Sequence, residues 1–154
     1  MKKLLLIFIA LMMIGFANAQ SNKEEVDLLQ SMFGMEKKAM VADFVQVDAA
    51  KGDAFWKLYD EYETARKELG KKRIELLDQY VNTYSTITNE AADAWMKEVI
   101  KLGTSTDKLL NNYYNKIKKV TDPVTALKFY HIESYILNSI RAKITSEIPF
   151  VHSK

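Results

Sequence analysis

The feature of this chain that most restricts its fold is a set of apolar residues repeated every seven positions over two long segments. In the first segment, from Ala49 to about Tyr84, the series is Phe55, Tyr62, Leu69 and Leu76. In the second, from Thr88 to about Lys119, the two interleaved series are Trp95, Leu102 and Leu109, and Val99, Thr106, Tyr113 and Val120. A spacing that averages 3.5 residues keeps one side of a helix facing a partner helix. The pattern therefore predicts two long helices that pair antiparallel as a hairpin.

Capping residues indicate where the helices begin. Asp48, Thr88 and Asp122 each have a side-chain oxygen that can accept a backbone N–H of the first helical turn. Glu90 lies in a first turn, where the helix dipole favours a negative charge. Pro123 follows Asp122 at the first helical position, where its missing N–H costs nothing. We therefore expect helices to start after each of the three caps.

Two shorter helices complete the expected fold. A first helix is predicted over 23–41, ended by the β-branched and acidic residues of 43–48. The last helix is expected to end near Glu147. No low-complexity linker or shift in composition divides the chain. The predicted fold is all-α, a single domain over 20–154 shaped as an elongated antiparallel hairpin of about four helices, two of them long.

The first 19 residues have the three parts of a secretory signal peptide. Lys2 and Lys3 form the charged region, Leu4–Phe16 an apolar region of about 13 residues, and Ala17-Asn18-Ala19 a cleavage site with small residues at its ends. A membrane anchor is the alternative, but spanning a bilayer takes about 20 apolar residues. We therefore expect cleavage after Ala19 and a mature chain in the periplasm, without stable membrane insertion.

Removal of this segment leaves the chain electrically neutral. The full chain has 22 Lys and Arg against 20 Asp and Glu, and Lys2 and Lys3 make up the whole excess. Proteins that bind nucleic acid by neutralising phosphates usually carry a basic excess, so nucleic acid is not an expected partner. The chain has no cysteine, although small exported domains often depend on disulfides. Packing alone must stabilise it.

No arrangement of residues indicates an enzyme. The lack of cysteine excludes thiolate chemistry, and no Gly-rich loop follows a strand to hold phosphates. Neither His131 nor His152 has a glutamate three residues before it, as a di-iron bundle would need. Two histidines supply at most part of a zinc site. We expect no catalytic residues, no cofactor and no metal site.

Aromatic residues are the first candidates for a binding surface. The set comprises Phe55, Trp56, Tyr59 and Tyr62 in the first long helix, and Tyr114 in the second. Residues on the heptad series, such as Tyr62, are expected to pack in the core. Trp56 and Tyr114 lie one position off the series and are the better candidates for exposure, where aromatic patches bind other proteins.

Basic residues in the middle of the first long helix are the second candidates. The densest stretch contains Arg66, Lys67, Lys71, Lys72 and Arg73. It is either a solvated helix face paired with Glu63, Glu68 and Glu75 at helical spacing, or a basic surface that attracts acidic partners and unfolded chains.

Two short segments resemble the helix-opening LTxxQ-like motif of the Spy/CpxP family. Val47-Asp48-Ala49-Ala50-Lys51 keeps the apolar residue and the cap, and Ile87-Thr88-Asn89-Glu90-Ala91 keeps the threonine but not the glutamine. The stretches Phe55–Tyr62, Phe129–Glu133 and Glu147–Phe150 are also similar to the Bacteroidota branch of this family of exported, stress-related helical proteins.

The resemblance implies an elongated helical hairpin, often a cradle-shaped homodimer, that binds other proteins. One implied function is an ATP-independent chaperone for unfolded or misfolded envelope proteins, with a client surface that includes Trp56, Tyr59 and the basic stretch. The other is a regulatory protein that docks on a membrane stress sensor or a sigma-factor regulator. A large exposed aromatic and basic concavity would favour the chaperone, and a uniformly polar surface the regulator.

Overall fold

The computed structural model describes residues 35–149 and Val151, and this part of the chain is helical without a strand. The helices are α1 (35–45 in its described part), α2 (Gly52–Thr83), α3 (Asn89–Val120) and α4 (Pro123–Glu147), with a short 3-10 turn at Ala49–Lys51. The predicted all-α fold is confirmed. Within the described range, every helix is too short or too polar to cross a membrane.

The capping side chains act as the sequence suggests. Thr88 Oγ1 accepts the backbone N–H of Ala91 at 3.2 Å and opens α3. The Glu90 carboxylate accepts hydrogen bonds from its own backbone N–H and from the Thr88 side chain. These bonds stabilise its negative charge in the first turn and therefore lower the pKa of Glu90. Asp48 accepts the N–H of Ala50 at 2.9 Å and opens the 3-10 turn that leads into α2.

The first helix differs from the prediction at its end. Helix α1 continues to residue 45, so the expected break over 43–48 begins only after Val45. Val41 and Val45 lie one turn apart on the same side of α1, and both are buried. Packing of these two valines outweighs the low helix propensity of β-branched residues. The predicted start of this helix, at residue 23, lies outside the described residues.

Short connections make the three long helices alternate in direction. Residues 84–88 join α2 to α3, and Thr121 and Asp122 join α3 to α4. Helix α3 packs along both α2 and α4, so these two lie side by side against it. With 32 residues each, α2 and α3 are about 48 Å long at 1.5 Å per residue. They form the long hairpin.

Helix α1 fills the space between α2 and α4 over one half of the bundle. Its Lys37 contacts Glu63 of α2 and Glu133 of α4, and Lys128 of α4 donates to the carbonyl oxygen of Val45 at 3.1 Å. Residue numbers in α1 therefore fall as those in α2 and α4 rise, so α1 is antiparallel to both. We call the half with α1 the four-helix half, and the other (67–83, 89–109 and 137–147) the three-helix half.

The core is concentrated in the four-helix half. Phe55, Tyr59 and Tyr62 of α2 pack edge-on to the Phe129 ring, with centroid distances of 6.4, 6.4 and 5.3 Å. Such pairs add about 0.5–1.5 kcal/mol each beyond the burial of their area. Among the described residues of the three-helix half, the buried aromatic and aliphatic side chains are Tyr80 and Leu102. The four-helix half therefore has a larger buried core than the three-helix half.

The Asp122 carboxylate accepts three hydrogen bonds at the start of α4. It accepts the backbone N–H of Thr125 at 2.8 Å, the Thr125 hydroxyl at 3.0 Å and Lys51 Nζ at 3.0 Å. These contacts, with the backbone N–H the strongest, lower the pKa of Asp122 to about 2. The fold therefore prefers the ionised carboxylate.

Substitution Asp122→Asn should reduce stability in a pH-dependent way. The asparagine can still cap α4, but it has no charge to lose. Because the folded pKa of Asp122 lies below the unfolded value of 3.8, its charge stabilises the fold above about pH 4, and this contribution disappears as the pH falls through about 2. Urea unfolding of both proteins should show a free-energy difference that shrinks between about pH 5 and pH 2. A difference that is constant with pH would contradict this account.

Candidate functional site

A buried charge cluster joins α1, α2 and α4. Lys37 Nζ donates to Glu63 and, at 2.7 Å, to Glu133 Oε2, and the Tyr62 hydroxyl donates to the same Glu133 oxygen at 2.9 Å. Arg66 donates to both oxygens of Glu63 at 2.8 and 3.1 Å. Lys37 is 1% exposed and Glu133 is fully buried. We use the name buried charge cluster for these five residues.

The two carboxyl groups of the cluster respond differently to burial. Burial opposes the charge of Glu63, but Lys37 and Arg66 together outweigh this and lower its pKa. For Glu133 burial is the larger effect and the charge of Glu63 adds to it, so the pKa of Glu133 is raised in spite of Lys37. The ion pair likewise keeps Arg66 charged, because Glu63 raises its pKa against the effect of burial.

Two polar atoms beside the cluster have no hydrogen-bond partner within the described part of the chain. They are Glu133 Oε1 and the Tyr59 hydroxyl. Burial and the nearby charge of Glu133 raise the pKa of Tyr59 far above its ordinary value, so this phenol stays neutral. The ion pairs of Lys37 with Glu63 and Glu133 hold α1 in position. The buried charge cluster is therefore a structural ion network.

Three residues predicted for a client surface belong to the core. Phe55 and Tyr59 are fully buried and Tyr62 is 1% exposed. Their rings pack on Phe129 and on each other, so they offer no surface to a partner. The client-surface hypothesis is therefore wrong for Phe55, Tyr59 and Tyr62, while the core position expected of the heptad residue Tyr62 is found. The reason is that one aromatic-rich side of α2 faces inward over two turns.

Trp56 and Tyr114 are partly exposed, as expected for positions off the heptad series. Trp56 packs edge-on to Phe55 at 4.9 Å, and Lys38 Nζ lies 5.3 Å from its ring centroid. Tyr114 packs on Tyr130 and has Lys118 Nζ 5.4 Å from its ring centroid. Both rings are held by neighbours, and both lie in the four-helix half.

The basic stretch of α2 does not form one surface. Arg66 belongs to the buried charge cluster, and Lys71 Nζ lies 3.8 Å from Glu68. Lys67 is partly exposed and Lys72 is exposed. Arg73 instead lines a groove. Because successive helical residues point about 100° apart, the stretch is divided among several sides of α2.

The groove lies in the three-helix half, where the described chain places no fourth helix. It has a volume of about 320 Å³ and is lined by residues of α2, α3 and α4 and by Ile148. Its apolar lining includes Leu77, Trp95, Val99, Leu102, Ile144 and Ile148. We call it the three-helix groove. It continues the space that α1 fills in the other half.

Each end of the three-helix groove has a distinct chemistry. Arg73 and Arg141 lie at the end nearer α1, and Asp107 pairs with Arg141 at 2.9 Å. Burial, and next the charge of Arg141, lower the pKa of Arg73, so a further negative charge here would be favourable. At the far end the Tyr80 hydroxyl donates to the carbonyl oxygen of Pro149 at 2.7 Å, which draws the chain after α4 across to α2.

A second apolar surface lies on the outer side of α4. Val124, Leu127 and Tyr135 are 63%, 46% and 51% exposed, and the exposed His131 lies between the last two at helical spacing. No cluster of three or more potential metal ligands occurs among the described residues. His152 lies outside them.

Comparisons of the chain with protein-family models, curated proteins and solved structures found no match. The similarity of its two capping segments to the Spy/CpxP family therefore stays a prediction.

The sequence contained one weak signal for the buried charge cluster. Lys37 lies four residues before Val41, on the side of α1 that also carries Val45. A lysine at an inward position indicates a buried partner. Its partners Glu63 and Glu133 could not be identified this way, because they lie 26 and 96 residues away.

Substitution Lys37→Met should strongly destabilise the protein, because it leaves Glu133 buried without its cation. We expect the free energy of unfolding to fall by about 3–5 kcal/mol. The matched control is Lys38→Met, which removes the exposed ion pair to Asp60 and should cost less than about 1 kcal/mol. Urea unfolding measures both, and equal losses would contradict the assignment.

The loss caused by Lys37→Met should also depend on pH. Without the lysine the folded pKa of Glu133 rises further above its ordinary value of 4.5. A raised carboxyl pKa destabilises the fold at high pH, and the penalty shrinks as the pH falls toward the unfolded value. The gap to the wild type should narrow on acidification, and Lys37→Met/Glu133→Gln should recover part of it at neutral pH. A gap that does not change with pH would indicate lost packing instead.

Proposed function

We propose that this protein is an exported, ATP-independent chaperone-like protein that holds apolar segments of unfolded or misfolded envelope proteins in the three-helix groove. One observation carries the proposal: an apolar groove of about 320 Å³, edged by two arginines, lies in the half of the bundle that the described part of α1 (35–45) does not cover. The signal-peptide pattern and the resemblance to the Spy/CpxP family support the same function.

The groove suits a peptide segment better than a compact ligand. Its lining is mostly aliphatic, with the Trp95 ring and the side chains of Leu77 and Ile144 supplying apolar surface from three helices. A partner helix or extended strand could place several apolar side chains along it, and Arg73 and Arg141 would favour an acidic residue beside them. Non-native proteins expose such segments in any sequence order, so the groove needs little specificity.

This site replaces the client surface expected from the sequence. Phe55, Tyr59 and Tyr62 are interior, but Arg73 of the predicted basic stretch contributes to the groove. The exposed Lys72 lies one residue away on α2 and can attract acidic chains at longer range.

Purified mature protein should suppress the aggregation of an unfolded client at a near-stoichiometric ratio, without ATP. Substitution Ile144→Gln, which puts a polar side chain in the groove, should weaken this suppression several-fold. The control Ile100→Gln changes a residue of α3 that is 62% exposed and does not line the groove, and it should have no effect. Light scattering measures suppression, and circular dichroism verifies that both variants are folded. Equal effects of the two variants, or no suppression by the wild type, would contradict the proposal.

The outer surface of α4 supports a second candidate function. The exposed Val124, Leu127 and Tyr135 form an apolar stripe on one element, as suits docking on one specific partner, such as the exported domain of a membrane stress sensor. Recovery of that domain as a single dominant partner from envelope extracts, and its loss with Leu127→Gln, would favour this regulatory function. A diffuse set of partners would count against it.

A further inference from the structure

One row of α3 residues forms the floor of the three-helix groove. Asp107, Gly103, Val99 and Trp95 follow one another at four-residue steps, which places them along the same side of the helix. The last three line the groove, and Asp107 pairs with Arg141 at its end. From the end nearer α1, the row therefore begins with a carboxylate and a glycine and continues with two apolar side chains.

Packing among the described residues does not explain the glycine in this row. Gly103 lies inside α3, where glycine weakens a helix relative to alanine. Its φ is not positive, so the backbone does not require glycine either. A Cβ added at this position would have no heavy atom within 4 Å outside its own stretch of α3. Gly103 therefore keeps space free in the groove, one turn from Asp107.

The two arginines of the groove carry more positive charge than their surroundings neutralise. Asp107 pairs with Arg141 at 2.9 Å, and the Asp107 side chain is 62% exposed. Arg73 is half-buried and forms no ion pair with a carboxylate in the described part of the chain. Burial, and next the charge of Arg141, lower the pKa of Arg73, and Asp107 opposes this only in part. A second carboxylate could accept paired N–H groups from a guanidinium, whose fork matches its two oxygens.

The apolar part of the row lies at defined distances from the free space. Val99 and Trp95 are four and eight residues from Gly103, which is about 6 and 12 Å along α3. An extended peptide rises about 3.3 Å per residue, and residues two and four apart share one side of it. A peptide carboxylate beside Gly103 would thus place the side chains two and four residues away next to Val99 and Trp95.

We propose that Arg73 and Arg141, with the space left by Gly103, form a carboxylate subsite of the three-helix groove. Its occupant is an extended client segment in which an acidic residue has apolar residues two and four positions away. Such a pattern is short, so many unfolded chains contain it. The subsite stands on the charges and spacing of the groove. Its use for clients rests on the proposed function.

Peptide binding tests the client class. The probe is a fluorescein-labelled peptide, Gly-Phe-Ser-Leu-Ser-Asp-Ser-Leu-Ser-Phe-Gly, which has the proposed spacing in both chain directions. Fluorescence anisotropy at physiological salt, where long-range attraction is screened, should show at least about fivefold tighter binding than for the same peptide with asparagine instead of aspartate. The peptide Gly-Ser-Phe-Ser-Leu-Asp-Leu-Ser-Phe-Ser-Gly has the same composition, but its apolar residues lie one and three positions from aspartate. It should bind as weakly as the asparagine peptide.

Charge removal on the protein locates the subsite. Arg73→Gln should abolish the preference for aspartate over asparagine, because the half-buried guanidinium no longer pairs with the carboxylate. The control Lys101→Gln removes the same charge from an exposed residue that lies two positions from Gly103 and does not line the groove. It should keep the preference, and equal effects of the two variants would overturn the subsite.

Substitutions at position 103 test the subsite without a client. Gly103→Asp places a carboxylate in the free space, and Gly103→Asn is its uncharged match with a similar helix propensity. Because Asp107 lies one turn away and repels a new carboxylate, the informative quantity is the effect of a second substitution on the urea midpoint. Arg73→Gln should lower the midpoint of Gly103→Asp more than that of Gly103→Asn, and Lys101→Gln should lower both alike. Equal decreases with Arg73→Gln would overturn the subsite.

The two measurements separate the subsite from the function. If the wild type neither suppresses aggregation nor binds any of the peptides, the proposed function fails, and the urea comparison at position 103 still decides the subsite. If the wild type suppresses aggregation but binds no peptide, or binds all three alike, the client class is wrong and the proposed function stands.

Discussion

The position of α1 depends on one lysine that is shielded from water. The Lys37 ammonium is buried between α2 and α4, where it contacts Glu63 and Glu133. A buried charge without partners costs several kcal/mol, so α1 is held at the level where both carboxylates reach the lysine. A shift by one turn along the bundle would separate Lys37 from Glu133 and leave both without an ionic partner, whereas Glu63 would keep Arg66. Because the described part of α1 fills the space between α2 and α4, its level decides which stretch of that space it occupies and which stretch is lined as the three-helix groove. The groove therefore depends on an ion cluster that lies outside it.

The unequal core follows from the same arrangement. In the four-helix half, one cluster of buried residues draws on all four helices, and within it the rings of α2 pack on Phe129 from several directions. In the three-helix half, α2 and α4 each pack on α3, and the space between them is lined by side chains that are only partly buried, such as Leu77 and Ile144. Local opening is easiest where few apolar side chains are buried. The half that carries the groove is thus the half that can adjust its shape at the lowest cost.

Features that depend on neighbouring residues could be predicted from the sequence, and features that depend on distant residues could not. The caps of Thr88 and Asp122 act within three residues, and the heptad series needs only the sequence of one helix. The end of α1 was predicted too early, because the burial of Val41 and Val45 against other helices overrides their local propensity. Tyr59, which lies off the heptad series, was assigned to a surface, since its residue type does not tell which side of α2 faces inward. The groove depends on the level of α1 relative to α2 and α4, which contacts over 26 and 96 residues establish.

The proposed function requires that a client can also leave without ATP. An apolar groove gains about 25 cal/mol per Å² of buried surface, but ordering a flexible segment costs a large part of that gain. A short, partly open groove with volume of about 320 Å³ therefore favours weak, exchangeable binding, while Arg73 and the exposed Lys72 can raise the rate of encounter with acidic chains.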